Sequence, residues 1–230
     1  MHKRPLPRCP IWNSKAASGF TLTEVLVVIA IIAIIAAILI PAVGAVRDKV
    51  SLGKSFSNIR QLHSANALYA NEHSGLYVPI VARDSEGKLT RWLENVEYRD
   101  YLGILEDGSW PQDLLSPNAD VLDSNGDRRA DRSYAMNITG FTGYSNPNNL
   151  WQIRAHAVTD PSKTIAMTDA LDWIVSFHGA NKYEGEEVTM NSAVAYRYND
   201  LATVLYYDGH VEALSMDELT SDIRQWTLPQ

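Results

Sequence analysis

The chain has 230 residues, of which 46% are hydrophobic and 20% charged, with one cysteine and a formal charge of -7. That apolar content excludes disorder over most of the length, the single cysteine excludes an internal disulfide, and the acidic balance speaks against binding to a phosphate backbone. The mean hydropathy of -0.18 is that of an ordinary soluble protein, but it averages over stretches of very different character.

Residues 1–19 contain Lys3, Arg4, Arg8 and Lys15, no acid, and three prolines, and they predict a short cationic leader without a helix. From Val25 up to Arg47 no side chain is charged, and the run VLVVIAIIAIIAAILIPAVGAV reaches the ~20 residues that a helix needs to cross a hydrocarbon core. Basic residues before the span, with no acid to balance them, place the leader on the cytoplasmic side and the C-terminal bulk outside. A secretory signal peptide shares this outline, although its apolar region is shorter, roughly 7 to 15 residues. A plain single-span anchor fits the hydropathy too, but it must account for Glu24 at the edge of the apolar run.

After the span, Val46, Val50, Phe56, Ile59, Leu62, Leu68 and Tyr69 recur mostly at spacings of three or four, with Arg47, Lys49, Lys54 and Arg60 between them. This predicts an amphipathic helix over 47–74 that continues the span of 20–46. Ser74-Gly75 supplies a stop, because glycine there takes the left-handed conformation that ends a helix. A helix from about Leu22 to His73 would be on the order of 75 to 80 Å long, with a kink or opened backbone bonds at Pro41.

The remainder, 75–230, has the composition of a globular domain and is more acidic than the whole, with 24 Asp and Glu against 12 Lys and Arg. Strand-like segments are TIAMTD (164–169), VAYRY (194–198), ATVLYYD (202–208) and HVEAL (210–214). Asp208-Gly209 between the last two predicts a two-residue hairpin turn with positive φ at both positions. The expected fold is α+β, a small antiparallel sheet laid against the emergent half of the long helix.

Gly19-Phe20-Thr21-Leu22-Thr23-Glu24 ends the leader directly before the apolar run. This resembles the processing site of type IV prepilins and type II secretion pseudopilins, in which a membrane aspartyl peptidase cuts after the glycine and methylates the new N-terminus. The resemblance implies cleavage between Gly19 and Phe20, methylation of Phe20, a pilin-like fold, and places in the assembly helix for Glu24 and Pro41, fifth and twenty-second from the cut. It also implies that the new amine meets the glutamate of a neighbouring subunit. An unpartnered carboxylate in an apolar helix is costly, whereas at the headgroup interface of a monomeric anchor it is cheap.

The segment SNIRQLHSANALYANEHSGLYVP (57–79) is similar to a large pilin-like family with an N-L-R-Q-type helix ending in Y-A-N-D/E before a glycine and an extended, proline-bearing strand. Ser133-Tyr134-Ala135-Met136-Asn137, the stretch DPSKTIAMTDA (160–170) and Tyr207-Asp208-Gly209-His210-Val211 resemble its later landmarks. Many members carry a histidine ten residues before the Asp-Gly turn and a Cys-Pro pair; here those positions are Tyr198 and Ser116-Pro117.

Asp123, Asn125, Asp127 and Asp131 place oxygen ligands at alternate positions, as in calcium loops, although Arg128 and Tyr134 stand where an EF-hand has glycine and glutamate. Calcium is the one cofactor that these residues point to, against an Asx-rich surface turn without metal. His63, His73, His156, His178 and His210 show no metal-ligand spacing, and no nucleophile elbow or phosphate loop occurs. Of Tyr196, Tyr198, Tyr206 and Tyr207, half are expected in the core and the rest free to line a filament or ligand contact.

These features describe a non-enzymatic structural subunit of the inner membrane, single-pass, with its head in the periplasm or outside. Its implied partners are copies of itself, other pilin-like subunits, a prepilin peptidase and an inner-membrane assembly platform, and no nucleic acid. The alternative is a membrane-anchored extracytoplasmic binding module that does not polymerise; the cut site and Glu24 favour assembly, and the large head leaves room for recognition.

Overall fold

The computed structural model describes residues 21–83, 86–105, 108–141 and 151–228. The chain divides into two compact units, Met1–Ala45 and Val46–Gln230. Helix α1 (Leu22–Glu72) begins in the first and ends in the second, and its helical assignment runs without interruption through Pro41.

In the second unit, α1 buries Ser55, Asn58, Ile59, Leu62, Ala65, Asn66, Tyr69 and Ala70, a stripe at spacings of three and one that keeps one helix face inward. Ile59, Leu62 and Tyr69 meet the expectation, whereas Val46, Val50 and Leu68 are exposed. Three polar residues take inward places because they bond the head: Ser55 meets two side-chain hydroxyls, and two asparagines hold its backbone. Asn58 Nδ2 donates to the carbonyls of Asp113 (2.7 Å) and Leu115 (2.9 Å), and Asn66 Oδ1 accepts from the Val78 amide (2.8 Å). The helix stops as expected, with Ser74 and Gly75 at φ 54° and 80° and the Gly75 amide donating to the Ala70 carbonyl at 2.8 Å.

Two sheets follow. β1 (Val81–Arg83) pairs antiparallel with β2 (Leu89–Arg91), and α2 (Val96–Tyr101) begins at Asn95, whose side chain accepts from the Tyr98 amide. The main sheet contains β3 (Tyr134–Asn137), β4 (Ile165–Asp169), β5 (Ile174–Val175), β6 (Leu201–Tyr206) and β7 (Val211–Ser215) in the order β5-β3-β4-β6-β7. All pairings are antiparallel except β3 with β5. One face packs on α1, with Met136, Met167 and Leu205 joining Ile59, Leu62 and Tyr69. The other packs Ala135, Ile165, Val204 and Tyr206 against Leu219 of α3 (Met216–Ser221) and against Trp226. With both faces covered, β3 and β4 are buried at every position, so neither shows the polar-apolar alternation of a half-exposed strand.

Two expectations are corrected. The segment 194–198 is not a strand: Val194 makes a single bridge to Ala170, and the chain then reverses at Asn199-Asp200. There Tyr198 and Leu201 exchange backbone bonds of 3.0 and 3.1 Å around two residues at φ 51° and 62°, the geometry of a type I′ turn. The β6–β7 connection is longer than predicted. Only Gly209 has positive φ, 91°, and the bonds from Gly209 N to Tyr206 O and from Tyr206 N to His210 O define a three-residue loop closed by a glycine bulge.

Candidate functional site

Gly19 and Phe20 lie outside the described residues, which begin at Thr21. The Thr21 amide and hydroxyl both donate to Glu24 Oε2, at 2.9 and 2.8 Å, and the Glu24 amide donates back to Thr21 Oγ1 at 3.3 Å. This reciprocal pair satisfies donors that the first helical turn leaves open. The T-x-x-E spacing that produces it is visible in the sequence, though it was not among the expected features. Behind Glu24, Leu22–Ile40 has a mean hydropathy of 3.0 and none of it is buried, so it is long and apolar enough to cross a membrane. Pro41 sits just past that stretch, inside α1.

The head has a second concentration of polar side chains, closed to solvent. Asp169 is fully buried; its Oδ1 accepts from Ser116 Oγ at 2.6 Å and Arg197 Nη1 at 3.4 Å, and its Oδ2 accepts from the Thr203 amide at 2.9 Å. Since the one Ser116 hydroxyl proton goes to the carboxylate, the Tyr198 hydroxyl, 2.9 Å away, donates to Ser116. Ser55 of α1 joins from the helix side, 2.9 Å from the Tyr134 hydroxyl and 2.8 Å from that of Thr203. Arg197 also donates to the carbonyls of Ser133, Arg132 and Ala170 and grips Glu187 through Nε and Nη2. Burial raises the Asp169 carboxyl above its ordinary value, an effect that Arg197 and the hydroxyl and amide donors oppose. The same burial, with Asp169 alongside, pushes the Tyr198 phenol up. The network ties helix to sheet.

The expected calcium ligands do not converge. Asp123 Oδ1 accepts from the amides of Asn125 (2.7 Å) and Asp127 (3.0 Å), an Asx turn completed by Gly126 at φ 85°. Asp131 points elsewhere, bonded to Arg129 at 2.9 Å with Arg132 at 3.3 Å and Arg91 at 3.6 Å. Burial alone would raise its carboxyl, but these guanidinium groups hold it below its usual value. Among the described residues no three His, Cys, Asp or Glu side chains are grouped to hold a metal ion. All four tyrosines, Tyr196, Tyr198, Tyr206 and Tyr207, are buried, although Tyr206 and Tyr196 each edge a surface pocket, beside His210 and Tyr183 respectively.

The family model described as the prokaryotic N-terminal methylation motif matches residues 14–40. No curated protein and no solved structure matches the chain. The matched stretch contains Gly19, Phe20 and Glu24 and runs to the end of the exposed apolar segment. The chain thus carries a prepilin-type motif on an apolar helix, followed by a pilin-like α+β arrangement.

Proposed function

We propose that this chain is a structural subunit of a type IV pilus or a type II secretion pseudopilus. A prepilin peptidase removes residues 1–19 and methylates Phe20, and the apolar start of α1 holds the protein in the inner membrane with its head outside. The assembly platform then transfers the helix from lipid into a bundle with copies of itself and other pilin-like subunits. The observation that carries this reading is the methylation motif set directly on a wholly exposed apolar segment with one carboxylate in its first turn.

Moving from lipid to a helix bundle gains little hydrophobic free energy, because lipid tails are as apolar as the side chains they replace. Packing and polar pairing must then set the register. Cleavage after Gly19 would place an amine on Phe20, and Glu24 of a neighbouring copy is the group with the charge to receive it.

The test is Glu24→Ala in the full-length chain. The variant is expected to be cut and retained in the membrane but absent from the sheared filament fraction. Filaments at wild-type yield would overturn the assembly mechanism.

A further inference from the structure

Between Val46 and Gln61 the outward side of α1 bears charge of one sign; the next acid on that side is Glu72, in the helix's last turn. Arg47, Lys49, Lys54 and Arg60 are exposed on or beside the stripe formed by Val46, Val50, Ser57 and Gln61, opposite the buried stripe that starts at Ser55. Asp48, the one acid between 46 and 71, is half-buried and lies on the other side by helical spacing. Val46 and Val50 are 60% and 66% exposed, so this face has an apolar element as well. Lys54 shows the chemistry in miniature, pairing with Asp113 of its own head at 2.9 Å, and Arg60 lies over the Phe56 ring.

The head has the opposite character. Its 12 cations face 24 acids, and several of the cations are consumed internally: Arg129 by Asp131, Arg197 by Glu187, Lys163 by Asp160 and Arg224 by Asp222. Each such pair uses one acid as well, so 24 acids against 12 cations leave an excess of 12 acids within the head of one copy.

We propose that the basic outward face of α1, centred on Arg47, Lys49 and Val50, docks on the acidic head of a second copy. This rests on the assembly reading and adds what sets the stagger between neighbours: the cationic stem of one copy seats against the anionic surface of the next. Basic residues just beyond a span also disfavour the translocated side, so a stem that carries them outside gains from a partner that uses them. Such pairs act mainly through specificity and rate of encounter, and they weaken with salt.

The test uses processed full-length protein in mild detergent, mixing isotope-light and isotope-heavy copies, with a zero-length carbodiimide that joins amines to carboxylates in contact. Lys49 is expected to be linked to head carboxylates of the other isotope. Reversing the charges with Arg47→Glu and Lys49→Glu should weaken association about tenfold and remove its salt dependence, while Arg47→Lys with Lys49→Arg keeps it. Copies that associate with no link from Lys49 to a foreign head overturn this proposal alone. So does a charge-reversed variant that associates at wild-type strength but no longer binds phosphatidylglycerol vesicles, which would assign the basic face to lipid. Wild-type copies that fail to associate at all would overturn the assembly reading together with this one.

Discussion

The hydroxyl groups of Ser116 and Tyr198, 82 residues apart in the chain, stand 2.9 Å from each other, and Ser116 in turn donates to the carboxylate of Asp169. The pair is part of the network that joins β4, β6 and Ser55 of α1, and its burial makes each member depend on the others.

Asp169→Ala removes the carboxylate that faces Arg197 and leaves the Ser116 hydroxyl and the Thr203 amide without their acceptor. Breaking a buried pair from one side costs about 3 to 5 kcal/mol, which urea unfolding of the detergent-solubilised protein should register. With Arg197→Met added, the total loss should fall short of the sum of the two single losses. Strict additivity would show that the two side chains do not act as a unit.

Gly209 closes the β6–β7 loop at φ 91°, and a Cβ there would lie 3.2 Å from Cδ2 of His63. Gly209→Ala is therefore expected to cost about 1 to 3 kcal/mol through backbone strain and contact, read as a lowered melting temperature. Asn199→Gly, at φ 51°, meets no such obstacle and should leave stability nearly unchanged.

Burial depresses the pKa of His63 below its usual 6.5, and the Asp208 carboxylate opposes this shift. The folded state resists a proton that the unfolded chain accepts. The stability contributed by the neutral ring is complete above 6.5 and is lost as the pH falls through the depressed folded value. Unfolding midpoints in urea should fall on mild acidification in the wild type, and His63→Gln should lack that part of the decline. Parallel curves for the two proteins would refute the assignment.

Millimolar calcium should leave the melting curve unchanged. Asp131 is committed to arginines, so a cation would have to break those ion pairs to collect it as a ligand. A saturable rise in melting temperature would contradict this.

Much of the architecture was legible because it follows from local composition and spacing. The apolar run, the stop at Ser74-Gly75 and the strands β4, β6 and β7 all announce themselves in residue pattern. Other parts were hidden by tertiary context. Ser55, Asn58 and Asn66 look like surface residues by type, and only their partners in the head, hydroxyls for Ser55 and backbone groups for the two asparagines, explain their burial. The strand β3 is four residues long and buried throughout, so it offers no alternation to read. The turn at Asn199-Asp200 was masked by the β-rich VAYRY before it, although Asn and Asp are the residues that tolerate positive φ after glycine. At the site, Glu24 was legible as an anomaly of charge in an apolar run, while its bond to Thr21 required the helix start itself. The alternate acids of 123–131 suggested convergence that the backbone path does not deliver.

The central claim is tested most directly by the intact mass of the protein isolated from its native membrane. The account predicts a chain that begins at Phe20 and carries one added methyl group on its N-terminus. A chain that retains residues 1–19, or one cut at a bond other than Gly19–Phe20, would contradict it.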